Sequence, residues 1–425
     1  MVTSPPYWGL RDYGLPPSVW GGDAGCVHQW GNGKPPSTKL GSGGNTNGWY
    51  SGGRFDPGKV HATACAPQPS AFCSLCTAWR GSLGLEHTPE MYVQHITEVA
   101  REVWRVLRSD GTFWLNLGDC YAGSGSPGGD FRDGKKGDTY LRPYNRKGSG
   151  LKPKDLVGMP WRVAFALQAD RWWLRSDVIW AKPNPMPESV RDRPTKAHEY
   201  VFLLTKSATY LFDQEAAREP VVEKDKSSGN VRRFVAKLGE RSRTNRHIAS
   251  CVPWSDDGRG RNIRSVWTIP TQPFPGAHFA TFPEALARRC ILTGSSEAGC
   301  CSSCGAPRRR KVSVSYVDAG RGNNNMTRKG VPLLGGAARP YEVRRLRTTR
   351  TLGWQATCQC SGSEIAPALV LDPFMGSGTV GVVAAALGRN FGGVDLKPEY
   401  VQMAAKRISE KRSDVEVSTC GRTTE

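Results

Sequence analysis

The sequence predicts an α/β fold in which a mostly parallel sheet is flanked by helices. The clearest observation is an apolar run at residues 368–371 that enters a glycine-rich loop, residues 372–379. An alanine- and valine-rich segment follows at 380–387, and a second apolar segment at 391–394 ends on Asp395. Strand, glycine loop, helix and strand together form one unit that is typical of nucleotide-binding α/β sheets.

The chemistry of this unit predicts a nucleoside-containing cofactor that carries positive charge. Glycines allow a backbone to approach a ligand closely, and Asp395 lies where a carboxylate can bind ribose hydroxyls. Gly376, Gly378 and Gly381 also satisfy the dinucleotide pattern, but Asp372 would repel a pyrophosphate and suits a cationic ligand. S-adenosylmethionine, with its sulfonium and ammonium groups, fits better. Without a second motif, tight packing of a glycine turn explains the pattern equally well.

The composition indicates long insertions, a polyanionic partner and metal-binding cysteines. The chain has 425 residues, and its 49 glycines and 30 prolines favour insertions in one large domain over a plain two- or three-domain chain. A net charge of +20 exceeds what solubility requires, and 14 tryptophans offer flat faces for bases. Thirteen cysteines, several in CxxC or CxC pairs, indicate metal ligands in a reducing cytoplasm. No segment has membrane-spanning length, and no signal-peptide pattern is present.

A second motif, TSPPY, occupies residues 3–7. Two consecutive prolines hold the backbone extended, so that the Ser4 hydroxyl and the Pro5 carbonyl can both accept hydrogen bonds from a single donor group. The exocyclic amino group of a base fits there. Hydrogen bonds from its two N–H bonds to these acceptors would make its lone pair available to attack a sulfonium methyl. Tyr7, and with it Trp8, would stack on the extruded base. In isolation, such a peptide is more commonly a proline-rich turn.

Together, TSPPYWG at residues 3–9 and DPFMGSGT at residues 372–379 resemble the motifs of DNA amino-methyltransferases, which methylate cytosine N4 or adenine N6. IWAKPNPMPES and HEYVFLLTKS, at residues 179–189 and 198–207, resemble later segments of the same family. The motif order is similar to that of the β class, and the cysteine-rich insertions are similar to those of phage-encoded members. The resemblance implies a Rossmann-like S-adenosylmethionine-dependent methyltransferase fold with circularly permuted motif order.

The resemblance also implies roles for particular residues. The catalytic residues would be Ser4, Pro5, Pro6 and Tyr7. The cofactor-binding residues would be Asp372, Pro373, Phe374, Gly376, Gly378, Thr379, Asp395 and Phe282. In this family Ser-Pro-Pro-Tyr usually accompanies cytosine N4 and Asp-Pro-Pro-Tyr adenine N6, which favours cytosine N4. The reaction needs no catalytic metal, so any zinc would be structural.

Two sets of cysteines predict structural zinc sites. A CxH and a CxxC pair in a glycine- and proline-rich insertion form the first set, and a CxxCG turn pairs with a CxC across a second, basic insertion. Cys300 is adjacent to the second set and could substitute for Cys301. The simpler alternative is free cysteines. The predicted ligands are Cys26, His28, Cys73 and Cys76 in the first set and Cys301, Cys304, Cys358 and Cys360 in the second.

The remaining elements alternate between helix and strand. Thr88 and Pro89 begin a helix at its N-cap and first helical position, and Asn116, Gly118 and Asp119 lie at the end of a strand, where ligand-contacting groups are common. His198 and Glu199 are interpreted as structural. Further helices are predicted at 160–168, 283–292 and 398–408, and further strands at 112–117, 172–180, 200–204 and 210–212.

The domain boundaries follow from these assignments. Residues 219–264 are strongly basic, which favours contact with DNA phosphates or sequence recognition, although a solvated linker would have the same composition. The predicted segments are 1–20 (catalytic motif), 21–87 (first cysteine insertion), 88–212 (core), 213–265 (basic recognition region), 266–299 (core, cofactor lead-in), 300–360 (second cysteine insertion), 361–412 (cofactor half) and 413–425 (tail).

The sequence therefore predicts a DNA methyltransferase that acts on double-stranded DNA in the cytoplasm of a bacterium or a phage-infected cell. Members of the family usually carry a segment before the catalytic tetrapeptide that contacts the cofactor's adenine, and none precedes it here. Activity is therefore less firmly indicated than ancestry. Three alternatives stay open: adenine N6 methylation, a catalytically inactive zinc-containing DNA-binding relative, and a nicotinamide-dependent enzyme, which would have no use for TSPPY.

Overall fold

A computed structural model describes residues 1–10, 13–31, 70–122, 151–219, 261–272, 282–318, 345–361 and 364–411. The chain divides into two units, the first formed by residues 1–4, 107–116 and 172–425 and the second by residues 5–106 and 117–171. Most of the basic recognition region, the glycine-rich stretch at 123–150 and the tail lie outside the described residues. Among the described helices, none combines the length and the apolar character needed to cross a bilayer.

Fifteen strands and five α-helices form the described part of the chain. The strands are β1 (Val2–Thr3), β2 (Ser18–Trp20), β3 (Trp30–Gly31), β4 (Ser70–Cys73), β5 (Trp79–Gly81), β6 (Thr112–Leu117), β7 (Trp173–Ala181), β8 (His198–Thr205), β9 (Val266–Thr268), β10 (Cys300–Cys301), β11 (Arg309–Asp318), β12 (Arg345–Gln355), β13 (Ile365–Ala366), β14 (Leu369–Asp372) and β15 (Asn390–Gly393). The helices are α1 (Pro89–Val106), α2 (Met159–Asp170), α3 (Glu284–Gly294), α4 (Thr379–Ala386) and α5 (Pro398–Lys411).

The first unit is built on a five-stranded sheet in the order β1-β6-β8-β7-β9. β1 pairs with β6 in parallel, β7 pairs with β9 in parallel, and β7 and β8 are antiparallel. β14 contacts β1, so the parallel pair β14–β15 lies beside the five-stranded sheet. All six residues of β6 are buried, as expected for a continuous apolar strand inside an α/β sheet.

The core of the first unit lies between these strands and α3 and α4. α4 packs against both α3 and α5, and its residues Thr379 to Ala385 are buried almost all round because alanine, valine and glycine allow close approach on every side. The core contains Val2, Trp114, Val178, Trp180, Val201, Leu203, Trp267, Ile269, Leu286, Ala287, Cys290, Ile291, Val370, Val380, Val383 and Ala384.

The second unit contains α1 and α2, which pack against each other, and a four-stranded sheet in the order β2-β5-β4-β3. α1 begins as predicted, because the Thr88 Oγ1 atom accepts a hydrogen bond from the backbone N–H of Met91 at 3.3 Å. Tyr92, Ile96 and Val103 are buried along one face of the helix. α1 therefore has the amphipathic pattern of a helix that packs on a core.

One predicted strand is wrong. Residues 210–212 form no strand, and the N–H of Leu211 instead donates to the carbonyl of Asp110 at 2.9 Å. β8, the preceding strand in the chain, already has β6 on one side and β7 on the other. No edge remains for a further strand, and the apolar residues of the segment contribute to packing instead.

Candidate functional site

The carboxylate of Asp372 lies at the carboxyl end of β14, where ligand-binding groups of parallel sheets are found. Its Oδ1 atom accepts hydrogen bonds from the Thr3 hydroxyl at 2.5 Å and from the N–H of Phe374 at 3.0 Å. The side chain of Thr3 therefore joins β1 to β14, although 369 positions separate the two residues in the sequence. The start of the chain and the glycine loop are therefore in direct contact within the first unit.

Burial changes the acidity of Asp372. The residue is only 2% exposed, and desolvation raises the pKa of its carboxyl group to about 7. The nearby negative charge of Asp395 acts in the same direction, whereas the hydrogen bonds from Thr3 and Phe374 favour the ionised form. A cation beside this carboxylate would lower its pKa again, so ligand charge and proton release are coupled here.

The glycine loop that follows has two glycines in left-handed backbone conformations. Gly376 has φ 48° and Gly378, the N-cap of α4, has φ 77°. A Cβ atom on Gly378 would lie 2.6 Å from the Cβ of Ala404, so this glycine allows α5 to pack against the loop. A Cβ atom on Gly376 would meet no atom of the described residues within 4 Å. The backbone at Gly376 therefore faces open space from which a ligand can approach.

Asp395 follows β15 and fixes the other side of the loop. Its Oδ2 atom accepts the N–H of Gly376 at 3.0 Å, and its Oδ1 atom accepts the N–H of Lys397 at 2.9 Å. Each carboxylate oxygen has a second lone pair, and ribose hydroxyls can donate to it. Burial raises the pKa of this carboxyl group as well.

The other predicted cofactor residues lie in less open positions. Thr379 is buried at the start of α4, with its hydroxyl 3.5 Å from that of Ser377. Arg407, which the sequence did not single out, donates from Nη1 to the Ser377 carbonyl and, at 3.1 Å, to its hydroxyl. Phe282 is partly buried and packs against the core of the first unit. Pro373 and Phe374 are half-buried beside Asp372.

A polar network that was left out of the predicted site lies at the end of β6. The Asn116 Nδ2 atom donates to Glu199 Oε2 at 3.0 Å, and the ammonium group of Lys182 donates to Glu199 Oε1. Lys182 Nζ also lies 4.4 Å from the centre of the Trp180 ring. The position of Asn116 at a strand end was the signal for this network, but its partners come from distant segments.

In the second unit, the backbone around the proline pair is held in place by α1. The Tyr92 hydroxyl donates to the carbonyl of Pro6 at 2.8 Å. The ring of Tyr7 lies against Gly118, where an added Cβ would stand 2.6 Å from the ring atom Cε2. Trp8 is 1% exposed, and its Nε1 atom donates to the carbonyl of Glu86 at 3.0 Å. The predicted stacking role of Trp8 is therefore wrong because its ring belongs to the core.

The structure brings together both predicted sets of metal ligands. One ligand atom from each of Cys26, His28, Cys73 and Cys76 lies within 4.8 Å of the others, and the same holds for Cys301, Cys304, Cys358 and Cys360. The sulfurs of Cys26 and Cys73 are 3.9 Å apart. Four ligands held about 2.3 Å from one zinc ion lie about 3.8 Å apart, so the spacing fits a tetrahedral ion.

Comparison with known proteins identifies the chain. A family model described as DNA methylase matches residues 1–301 and 363–406. The Type II methyltransferase M.SmaI of Serratia marcescens is 32% identical over 97% of this chain and 84% of that protein. M.Cfr9I of Citrobacter freundii is 31% identical over 98% of this chain and 82% of that protein. The chain belongs to the DNA methylase family. It is an S-adenosylmethionine-dependent DNA amino-methyltransferase of the N4-cytosine and N6-adenine group.

Solved structures with a lower similarity are also methyltransferases. The DNA modification methylase TTHA0409 of Thermus thermophilus, complexed with S-adenosyl-L-methionine, is 17% identical over 77% of this chain and 80% of its own, with a TM-score of 0.35. PvuII DNA methyltransferase, described as cytosine-N4-specific, is 15% identical over 75% of this chain and 71% of its own, with a TM-score of 0.38. The similarity to PvuII DNA methyltransferase is too low to indicate which base this methylase modifies.

The geometry of the first unit fits the cofactor of the family. Asp372 holds a buried carboxyl group, Asp395 accepts the N–H of Gly376, and a Cβ on Gly376 would meet no atom of the described residues within 4 Å. The family model omits residues 302–362, a stretch close to the predicted second insertion, whereas the first predicted insertion falls inside the matched range. The domain boundaries given from the sequence stay predictions.

Proposed function

We propose that this DNA methylase transfers the methyl group of S-adenosylmethionine to the exocyclic N4 of cytosine in double-stranded DNA. The observation that carries the proposal is the placement of Ser4. It is the first residue of the Ser-Pro-Pro-Tyr tetrapeptide, and it directly follows Thr3, whose hydroxyl is bonded to Asp372 at the cofactor loop. The serine, rather than aspartate, at this position supports cytosine over adenine.

The chain's own residues then orient two reactants. The bound cofactor supplies an electrophilic methyl group on a sulfonium. Asp372 would face the positive charge of the cofactor, and Asp395 would accept from its ribose hydroxyls. The Ser4 hydroxyl and the Pro5 carbonyl would accept hydrogen bonds from the two N–H bonds of the amino group, which directs its lone pair towards the methyl group. As the methyl group leaves sulfur for this nitrogen, the amino group would release one proton to solvent. Tyr7 would stack on the base.

A base inside a duplex cannot reach such a site, so the target cytosine would have to leave the stack. The hydrogen bond from Tyr92 to the Pro6 carbonyl supports this step, because it holds the tetrapeptide before a base arrives. The curated relatives are Type II methyltransferases, and we place this enzyme with them as the modification component of a restriction–modification system acting in the cytoplasm.

The identity of the modified base can be measured directly. DNA from cells that express the methylase is digested to nucleosides and analysed by mass spectrometry. We expect N4-methylcytosine to appear, and N6-methyladenine to stay at the level of cells without the methylase. Cells that carry the same vector without the methylase gene supply the background for both nucleosides.

Two other outcomes would contradict the proposal at different points. A rise in N6-methyladenine with no N4-methylcytosine would keep the enzyme class but overturn the choice of base. If neither nucleoside appears and purified protein transfers no tritiated methyl group to DNA, the chain is a DNA-binding relative without activity.

We also propose that each cysteine cluster holds one structural zinc ion. The donor sets are one histidine with three thiolates and four thiolates, which are the ligands that zinc prefers in closed sites. In both clusters a tight turn presents two of the thiolates. The N–H of Thr77 donates to the Cys73 carbonyl at 3.2 Å, and the N–H of Gly305 donates to the Cys301 carbonyl at 2.8 Å. Closing these turns with metal would stabilise two cysteine-containing segments.

The purified methylase should therefore contain two zinc ions per chain, measured by elemental mass spectrometry. Two adjacent cysteines offer a matched pair of variants. Cys301→Ser should reduce the content to one ion, because Cys301 belongs to the cluster, whereas Cys300→Ser should retain both, because Cys300 does not. Equal zinc contents in the two variants would contradict the assignment of the second site.

A further inference from the structure

The two longest described strands of the second cysteine-containing segment form a hairpin, β11–β12, which the proposed function does not use. Its strands are antiparallel, with Arg309 opposite Gln355 and Val314 opposite Thr349. An irregularity between Lys311 and Val312 places the extra residue in β12, so side chains along β11 alternate regularly between two faces. The hairpin lies in the stretch that the family model does not match.

The inner face of the hairpin is attached to the rest of the first unit. Arg310 donates from Nη2 to Asp213 at 3.0 Å and to Glu297 at 2.6 Å, and its guanidinium lies 4.4 Å from the centre of the Trp354 ring. On the same face, the Thr349 hydroxyl donates to Glu215 at 3.2 Å. The bonds to Asp213 and Glu215 are partly buried, the bond to Glu297 is exposed, and together they orient the hairpin on its support.

The outer face is basic and exposed. Alternation places Arg309 and Lys311 on this face, and Arg350 joins them because it pairs with Ser313. All three basic side chains are exposed, and within the described part of the chain no ion pair neutralises them. The inner arginine, Arg310, differs from them because it has two acidic partners, Asp213 and Glu297.

The second cysteine cluster lies at the base of this hairpin. Cys301 and Cys304 precede β11, and Cys358 and Cys360 follow β12, so the cluster joins the two strands at their open end. Zinc bound here, as proposed above, would limit the freedom of the strands to separate or slide. The basic face lies on a support that is held along its inner side and that zinc would also fix at its base.

We propose that the outer face of the β11–β12 hairpin, with Arg309, Lys311 and Arg350, binds the phosphate backbone of the duplex DNA substrate. This inference rests on the proposed function, because it assumes that the methylase acts on duplex DNA. Charge complementarity identifies the partner: three exposed cations, none of which has an acidic partner among the described residues, face outward in a chain of net charge +20. A two-stranded ribbon also has the dimensions to approach the major groove, whose flanking phosphates would lie along its edges.

The test is the salt dependence of DNA binding. A fluorescent duplex of about 30 base pairs and random sequence is titrated with the full-length zinc-loaded protein, and anisotropy is measured at several salt concentrations. In the triple variant Arg309→Gln, Lys311→Gln, Arg350→Gln, affinity at about 150 mM salt should fall at least about tenfold, and the slope of log K against log salt should decrease by about 2 to 3.

A matched triple variant removes the same charge elsewhere in the first unit. Arg288, Lys406 and Lys411 are exposed residues of α3 and α5, and their replacement by glutamine should change the slope by less than about one unit. If both triple variants lose affinity equally, the effect is one of overall charge, and the hairpin is not a binding surface. Unchanged affinity in the hairpin variant overturns the proposal as well.

Failure of this inference is distinguishable from failure of the proposed function. Wild-type protein that methylates DNA, together with a hairpin variant of wild-type affinity and salt slope, overturns only the role of the hairpin. Wild-type protein that transfers no methyl group overturns the proposed function, whatever the hairpin variant does. Zinc content and S-adenosylmethionine affinity should be unchanged in the hairpin variant, which separates loss of DNA contact from loss of fold.

Discussion

Replacement of Asp372 by asparagine should weaken S-adenosylmethionine binding by roughly ten- to a hundredfold while the protein stays folded. The side chain is buried, and its carboxylate accepts two hydrogen bonds through Oδ1. Asparagine keeps the size and an acceptor oxygen, but it carries no charge to face a cationic ligand. Isothermal titration calorimetry with the cofactor measures the loss, and the far-ultraviolet spectrum confirms the fold.

The pH dependence of this binding should identify the same group. Because burial raises the pKa of Asp372 to about 7, the wild-type affinity should rise about tenfold per pH unit below that value and level off above it. The asparagine variant should lack this dependence, and any slope that it retains reports the titration of the ligand itself. Equal affinities of the two proteins at about pH 8.5 would contradict the role of the charge.

Stability should depend on pH in the opposite direction. The folded-state pKa of Asp372 lies above the value of about 3.8 expected in the unfolded chain, so between these values the folded protein holds the proton more tightly. The contribution of this group to stability therefore falls as pH rises from about 4 to about 7. The asparagine variant should not lose stability in this way. At about pH 8 its free energy of unfolding should be at least equal to that of the wild type. Folding alone favours the protonated form of Asp372, whereas binding of the cationic cofactor would favour the ionised form.

Thr3→Val provides a matched variant for this argument. It removes the hydroxyl that favours the ionised form of Asp372, but it leaves the carboxylate in place. The midpoint of the pH dependence should move to higher pH, while the affinity reached well above it should stay near that of the wild type. A general packing defect would instead lower affinity at every pH.

The parts of the site that the sequence predicted are local in the chain. The strand, loop and helix between residues 369 and 386 form a contiguous unit, so periodicity and glycine placement were sufficient. The grouping of the cysteines was predictable because each CxxC, CxC or CxH segment already brings two potential ligands together in one turn, and only the pairing of the segments remained open. The structure selects Cys301 over its neighbour Cys300, which spacing could not decide.

The parts that were missed depend on contacts between distant segments. The bond from Thr3 to Asp372 and the network of Asn116, Lys182 and Glu199 each join strands that are adjacent only in the folded sheet. Apolar character likewise shows that a segment is buried but not whether a strand edge is available. This is why residues 210–212 were wrongly predicted as a strand, and why the burial of Trp8 was not anticipated.

Ser4→Ala should reduce the rate of methyl transfer by roughly a hundred- to a thousandfold, with S-adenosylmethionine affinity unchanged. The hydroxyl is one of two acceptors proposed for the amino group of the target base, and its loss would leave that group less activated in the transition state. Cofactor affinity should persist because Thr3, not Ser4, donates to Asp372. Single-turnover transfer of a tritiated methyl group to DNA measures the rate, and Ser409→Ala, which removes an exposed hydroxyl from α5, is the matched control.

The size of the residual rate tests the mechanism further. The second acceptor, the carbonyl of Pro5, belongs to the backbone, so no side-chain substitution at residue 4 removes it. Ser4→Ala should therefore keep measurable activity on the same base, whereas a serine acting as a nucleophile or sole base would leave none. Transfer within a factor of about three of the wild-type rate would remove Ser4 from the catalytic machinery, since loss of a true transition-state hydrogen bond costs far more.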